Sequence, residues 1–228
     1  MIHIKYALSF YRQQILKILL LILVFFIPLQ LTSLLISNLL VLYYEPLGIP
    51  SFGLFLGTCV NLLMICLFQM PFIHMVIQDQ IGDGVKVKNA LGATLEKGFR
   101  VYLWSLVYIL MVALGTLLLV VPGVILAILF FILPYVVMIE KEKGWANLKT
   151  AFQIGKDNFL RIAGVLLLFG VIQWLLESGV LVGSIMLVDS FLVVAIIQMG
   201  VSSLVYPLFI FLLTHMYLDW TGANYDLV

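Results

Sequence analysis

The chain reads as long apolar runs punctuated by charge. There are 27 uncharged residues between Lys17 and Glu45, 33 between Glu45 and Asp79, 39 between Arg100 and Glu140, and 29 between Asp189 and Asp219. A helix crossing a bilayer needs about 20 apolar residues. The first, second and last runs therefore predict one span each, over 18–44, 52–78 and 190–215. All three exceed the minimum, which predicts tilt or bending. Pro28, Pro71 and Pro207 are the expected kink sites.

The run of 39 residues is too long for one span and carries Val121-Pro122-Gly123 near its middle. Pro fixes φ and Gly accepts positive φ, so the pair Pro122-Gly123 predicts a tight structural turn between antiparallel helices at 101–121 and 124–139. The second helix is short and contains Pro134. After Arg161, fifteen uncharged residues precede Glu177 and eleven more precede Asp189. Fifteen residues rise about 22 Å, which predicts a fifth span over 160–182 with Glu177 near its outer end. The total is six spans.

Two connections between spans are long enough to hold structure. In 85–99, Val87, Leu91, Leu95 and Phe99 recur every four residues among Lys86, Asn89, Glu96 and Lys97. In 145–158 the apolar stripe Trp145, Leu148 and Phe152, continued by Phe159, lies opposite Asn147, Lys149, Gln153 and Lys156. Each pattern predicts an amphipathic helix lying at the membrane interface. Span, surface helix and span would then occur twice in the same orientation, over 52–121 and 124–182, as a parallel internal repeat.

Composition narrows the class. Of 228 residues 64% are hydrophobic and 10% charged, with a mean hydropathy of +1.21. A soluble domain is about 45–50% apolar and about 25% charged. The chain lacks the polar surface to cover a globule, which leaves an all-α, polytopic membrane helix bundle forming one transmembrane domain. Net charge is +1, which argues against nucleic acid as a partner.

The cations are sorted. Lys5, Arg12 and Lys17 form one group; Lys86, Lys88, Lys97 and Arg100 a second; Lys141, Lys143, Lys149, Lys156 and Arg161 a third. Cations concentrate on the cytoplasmic side of a membrane protein. Six spans put all three groups on one side, with both termini cytoplasmic and only Glu45, Glu177 and Asp189 outward. A single span over 101–139 would put the last five cations outside, so the charge pattern supports the hairpin. The N-terminal cations followed by an apolar stretch resemble a signal peptide. No A-x-A-like site follows, so the expectation is an uncleaved first span. Cys59 and Cys66 are seven apart, about 10 Å along a helix, which is too far for a disulfide.

The segment 115–168 reads GTLLLVVPGVILAILFFILPYVVMIEKEKGWANLKTAFQIGKDNFLRIAGVLLL. It resembles the YciC-like inner-membrane proteins of bacteria and the membrane domain found ahead of some glycerophosphodiester phosphodiesterases. The resemblance lies in a span ending in (V/I)-P-G-(V/I)-(I/L), a short span with a second Pro, an acidic or amide residue, and an A-x-(L/M)-(K/R)-x-S-like surface helix. Here the matching positions are Pro122, Gly123, Pro134, Glu140, Ala146, Leu148, Lys149 and Thr150. Tyr217-Leu218-Asp219 is similar to the Y-x-D ending of the last span in many relatives. The family's Ser stands as Thr150 or Ala151 depending on alignment, a nearby Arg as Gln153, and no Arg follows Asp219. The resemblance implies a six-helix membrane fold and no defined activity. No counterpart of the phosphodiesterase's catalytic barrel is present.

Candidate chemistry is sparse. HExxH, GxSxG, P-loop and CxxC patterns are absent, so no catalytic set, metal site or cofactor is expected. His74 and His215 each precede an inner acid by four to five residues, which makes a paired site one reading. Two interfacial histidines reaching the headgroups is the simpler one. Glu177 is the candidate intramembrane carboxylate, able to relay protons or cations; its estimated depth favours a helix-end residue reaching outer water. Glu140 stands where the fourth helix meets the cytoplasm, within reach of Lys143 or Lys149 for a structural pair. Gly53-x-x-x-Gly57 and Gly179-x-x-x-Gly183 match the close-packing motif of membrane helices. Lys86, Lys88, Lys97, Arg100, Lys141, Lys143, Lys149, Lys156 and Arg161 are candidate contacts to anionic headgroups, at about 1 kcal/mol each near the surface.

These features predict a non-enzymatic protein of the bacterial cytoplasmic membrane that handles or responds to lipids or amphipathic compounds. Membrane lipids are the expected partners. A permease subunit docked by a cytoplasmic ATPase, and an immunity or envelope-stress protein against a membrane-active peptide, are the alternatives. A transport path would draw on Thr32, Ser33, Ser37, Asn38, Asn61, Gln69, Gln173, Gln198, Ser202 and Ser203.

Overall fold

The computed structural model describes residues 2–82, 84–140, 144–185 and 191–222. Among them every regular element is a helix. In chain order these are α1 Ile2–Gln13, α2 Ile15–Leu21, a π-helical turn Ile22–Phe26, α3 Ile27–Tyr44, α4 Pro50–Ile81, α5 Val87–Leu118, α6 Val120–Phe130, α7 Leu133–Ile139, α8 Trp145–Asp157, α9 Phe159–Ile185 and α10 Phe191–Thr221. Six stretches are long and apolar enough to cross a membrane: Ile15–Tyr44, Pro50–Ile81, Val87–Leu118, Val120–Ile139, Phe159–Gly183 and Ile196–Thr221.

Proline shapes three of them. Pro28 has no N–H for the carbonyl one turn back, and the π-helical turn immediately before it absorbs the mismatch. Pro134 interrupts the fourth span, so α6 and α7 meet at a turn over 131–132. Pro71 and Pro207 sit inside continuous helices.

The hairpin between the third and fourth spans turns at Leu119, not at Pro122-Gly123. Leu119 is extended (φ −159°, ψ 141°), and α6 begins at Val120. Pro122 occupies the first turn of α6, where a missing N–H removes no helix bond. Gly123 has no positive φ. Its role is close approach, since a Cβ there would lie 2.8 Å from the Thr116 backbone on α5.

The segment 85–99 is not a separate surface helix. It forms the start of α5, which runs unbroken from Val87 to Leu118. The second surface segment is a helix of its own, α8, separated from α9 at Asn158 (φ −116°, ψ 19°). The two halves of the anticipated repeat therefore differ at the join. In both segments small residues face the protein. Ala90 and Thr94 are buried in α5, and Asn147, Ala151 and Gly155 in α8. Leu95, Phe99, Trp145 and Phe152 point outward.

An element absent from the sequence reading is α1. It lies antiparallel to α10, as its contacts run in opposite order along the two helices. His3 is 3.7 Å from Asp219. Tyr6 faces His215, and Phe10 packs edge-on to Phe211 at 4.8 Å. The Tyr11 hydroxyl donates to the Leu204 carbonyl at 3.0 Å.

Packing is uneven along the bundle. At the end carrying the cations, Phe72, Ile73, Met75 and Val76 of α4, Leu133 to Met138 of α7, and Phe211, Leu213, Tyr217 and Leu218 of α10 are buried together. Toward the other end the helices pair as hairpins. Ser33 is the one fully buried residue of α3. That helix is held to α4 by Ser33 Oγ donating to Asn61 Oδ1 at 2.7 Å and by close approach at Gly53, where a Cβ would meet the Leu40 carbonyl at 2.8 Å. Gly57 approaches Ser37 similarly. A Cβ added at Gly179 or Gly183 would meet nothing within 4 Å, so the second small-residue motif makes no such contact among the described residues.

Candidate functional site

Glu177 is one turn beyond Gln173 on α9, and the four-residue spacing puts both on one face. That face meets Gln198 and Ser202 of α10, themselves four apart. The Gln173 amide nitrogen donates to Glu177 Oε1 at 2.8 Å and also to the Ser202 hydroxyl. Ser202 Oγ donates in turn to Glu177 Oε1 at 3.2 Å. Gln198 donates to the Glu177 backbone carbonyl at 3.4 Å. Gln173 is only 9% exposed, and its Oε1 has no partner.

Gln173 and Glu177 border a cavity of about 310 Å³ between α4, the α6–α7 turn, α9 and α10. The remaining wall is apolar and aromatic, with Ile65, Phe131, Leu166, Phe169, Trp174, Tyr206 and Phe209. Phe169 stacks on Phe209 at 4.3 Å and meets Tyr206 edge-on at 5.1 Å. Phe169 and Phe209 also wall a second, wholly apolar space of about 180 Å³ lined by Ile4, Ala7 and Leu8 of α1 with Val165 and Leu212. The arrangement thus has two half-open spaces, one with a polar corner and one wholly apolar, sharing the Phe169 and Phe209 rings as a wall.

The other polar residues do not join this corner. Ser33, Ser37 and Asn61 bond across α3 and α4. Thr32 and Asn38 bond to carbonyls one turn back on their own helix, as does Ser203 to Gly200. Gln69 is buried with neither amide atom bonded.

At the cationic end the expected pairings are rearranged. Glu140 does not pair with Lys149, which is exposed; its Oε1 accepts from the Tyr217 hydroxyl at 2.7 Å. Lys141 and Lys143 lie outside the described residues. Lys97 is half-buried and donates to the Met138 carbonyl at 2.6 Å, capping the end of α7. Arg100 is also half-buried, while Lys86, Lys88, Lys149, Lys156 and Arg161 are exposed. His74 and His215 do not form a pair. His74 has Lys97 and Glu96 as its charged neighbours, whereas His215 has His3 and the Tyr6 ring. Among the described residues no three His, Cys, Asp or Glu side chains converge as a metal site. Cys59 and Cys66 are free thiols.

Sequence reasoning singled out Glu177 as a lone carboxylate. It gave no means of joining Gln173 and Ser202 to it, because that requires the register of α9 against α10. It also missed the Glu140–Tyr217 bond, although each position carries part of the family resemblance.

The chain is 28% identical over 142 residues to a UPF0259 membrane protein of Pectobacterium carotovorum subsp. carotovorum (strain PC1). The match covers 60% of this chain and 55% of that relative, so the chain spans about half the relative's length. No family model matches the chain. No solved structure matches it. With its six apolar helices, the chain is a membrane protein similar to that bacterial one.

Proposed function

We propose that this protein is a non-enzymatic component of the bacterial cytoplasmic membrane that binds lipids or other amphipathic molecules between α4, α9 and α10. The observation that carries the reading is the cavity of about 310 Å³ with the Gln173–Glu177–Ser202 group at one corner and aromatic walls elsewhere. Such a space suits a molecule with one polar end and an apolar body. A separate apolar space beside α1, on Phe169 and Phe209, suits a hydrocarbon chain.

Two further observations support it over a permease. Ser33, Ser37 and Asn61 of α3 and α4 are used in helix contacts, so these three do not line a path with the α9–α10 group. The outward apolar residues Leu95, Phe99, Trp145 and Phe152 suit contact with acyl chains, with the basic end on the cytoplasmic side under the positive-inside rule. The YciC-like resemblance belongs to this reading, and the positions that carry it, Gly123, Glu140 and Tyr217, serve packing and bonding.

Native mass spectrometry of the protein purified in mild detergent tests the proposal. Discrete phospholipid or amphiphile adducts that survive detergent removal are expected. A protein stripped clean under conditions that keep it folded would contradict it.

A further inference from the structure

Resting on that reading of the cavity, we infer that Glu177, Gln173 and Ser202 form a headgroup subsite selecting a protonated amine. The donors and acceptors of these three side chains set its preference. The Gln173 amide nitrogen is spent on Glu177 and Ser202, and the Ser202 hydroxyl proton is spent on Glu177. The orientation of the Gln173 amide follows from its neighbour, because only the nitrogen end can face a carboxylate. Two oxygens remain unused. Glu177 Oε2 has no bond among the described residues, and Gln173 Oε1 is buried without a partner. The polar atoms that Gln173, Glu177 and Ser202 leave unused are therefore acceptors.

An unpartnered buried acceptor is costly, so the site favours a guest that donates. The carboxylate adds charge selection. No Lys or Arg side chain bridges Glu177 among the described residues, and all twelve cations of the sequence lie outside 162–228. An ammonium group supplies three donors and one positive charge, which complement a carboxylate and an amide oxygen. Tyr206 and Trp174 add aromatic surface that attracts a cation. Phosphate or sulfate would place negative charge against the Glu177 carboxylate. Two sources present this chemistry in a membrane: an aminophospholipid and a single-chain alkylamine.

The full-length protein in mild non-ionic detergent is titrated with phosphatidylethanolamine and phosphatidylglycerol of identical acyl chains, and separately with dodecylamine and dodecanol, with retention read by native mass spectrometry. The wild type is expected to retain the amine member of each pair about tenfold better. Glu177→Gln, which keeps shape and hydrogen bonding, is expected to bring that ratio near one, and Gln173→Leu to lower it part of the way. Preference for phosphatidylethanolamine identifies a lipid source, and preference confined to dodecylamine identifies a single-chain one; both support the subsite. Equal retention within each pair by the wild type, or an amine preference unchanged in Glu177→Gln, overturns the subsite while leaving the cavity reading intact. Retention of none of the four overturns both.

Discussion

The Tyr217 hydroxyl donates a hydrogen bond of 2.7 Å to Glu140 Oε1, joining the end of α10 to the end of α7 across 77 residues of sequence. Glu140 is where α7 stops and the backbone turns extended (φ −72°, ψ 147°). Tyr217 is fully buried. The bond therefore ties the fourth span to the sixth at the densest part of the core. Tyr217→Phe keeps the ring packing against Tyr135 and removes only the donor. A loss of about 1–2 kcal/mol is expected, seen as a lower Tm in detergent. Tyr217→Phe combined with Glu140→Gln should cost less than the sum of the two, because they share one interaction.

Close helix approach gives a contrast between glycines. A Cβ at Gly123 would meet the Thr116 backbone at 2.8 Å, and one at Gly155 would collide with the Leu129 carbonyl. Backbone cannot move aside as a side-chain end can. Gly123→Ala and Gly155→Ala should each destabilise by about 1–3 kcal/mol. Gly179→Ala and Gly183→Ala meet open space and should be neutral or stabilising by up to about 1 kcal/mol. Thermal unfolding of the four variants in one detergent separates the two classes.

Lys97 tests how the end of α7 is held. Its ammonium reaches the Met138 carbonyl at 2.6 Å from half-buried surroundings. Lys97→Met keeps most of the stem and removes the donor. It should lower Tm, whereas Lys88→Met, on an exposed side chain, should leave Tm within experimental error. Equal effects would mean that Lys97 acts only as one more surface cation.

The spans were legible because charge and hydrocarbon do not mix. Each uncharged run of sufficient length became a membrane-length helix, and the 39-residue run became two. Details set by contacts between helices were not legible. The turn moved from Pro122-Gly123 to Leu119 because Gly123 is needed at the α5–α6 contact, not for a left-handed backbone. Residues 87–99 run on into the span as one helix because no Pro interrupts them, and Gly92 and Gly98 are tolerated within it. The four-residue spacing of Val87, Leu91, Leu95 and Phe99 marked helix correctly but said nothing about where that helix ends. The α1–α10 pairing rests on Tyr6, Phe10 and Tyr11 meeting residues some 200 positions away, for which local sequence carries no signal. The same holds for the candidate site. A carboxylate in an apolar stretch is conspicuous, whereas its Gln and Ser partners are ordinary until two helices set them side by side.

Orientation has its own test. With both cysteines replaced by alanine, Leu47→Cys in the α3–α4 connection should react with a membrane-impermeant maleimide on intact cells. Lys149→Cys on α8 should react only after permeabilisation. The reverse pattern would invert the topology.

The most direct test of the central claim fills the cavity. Ile65 lines it from α4. Native mass spectrometry of Ile65→Trp beside the wild type, both purified in the same mild detergent and both showing cooperative unfolding, should show amphiphile adducts on the wild type and their loss from the variant. Equal adduct occupancy on the two proteins would contradict binding in this cavity.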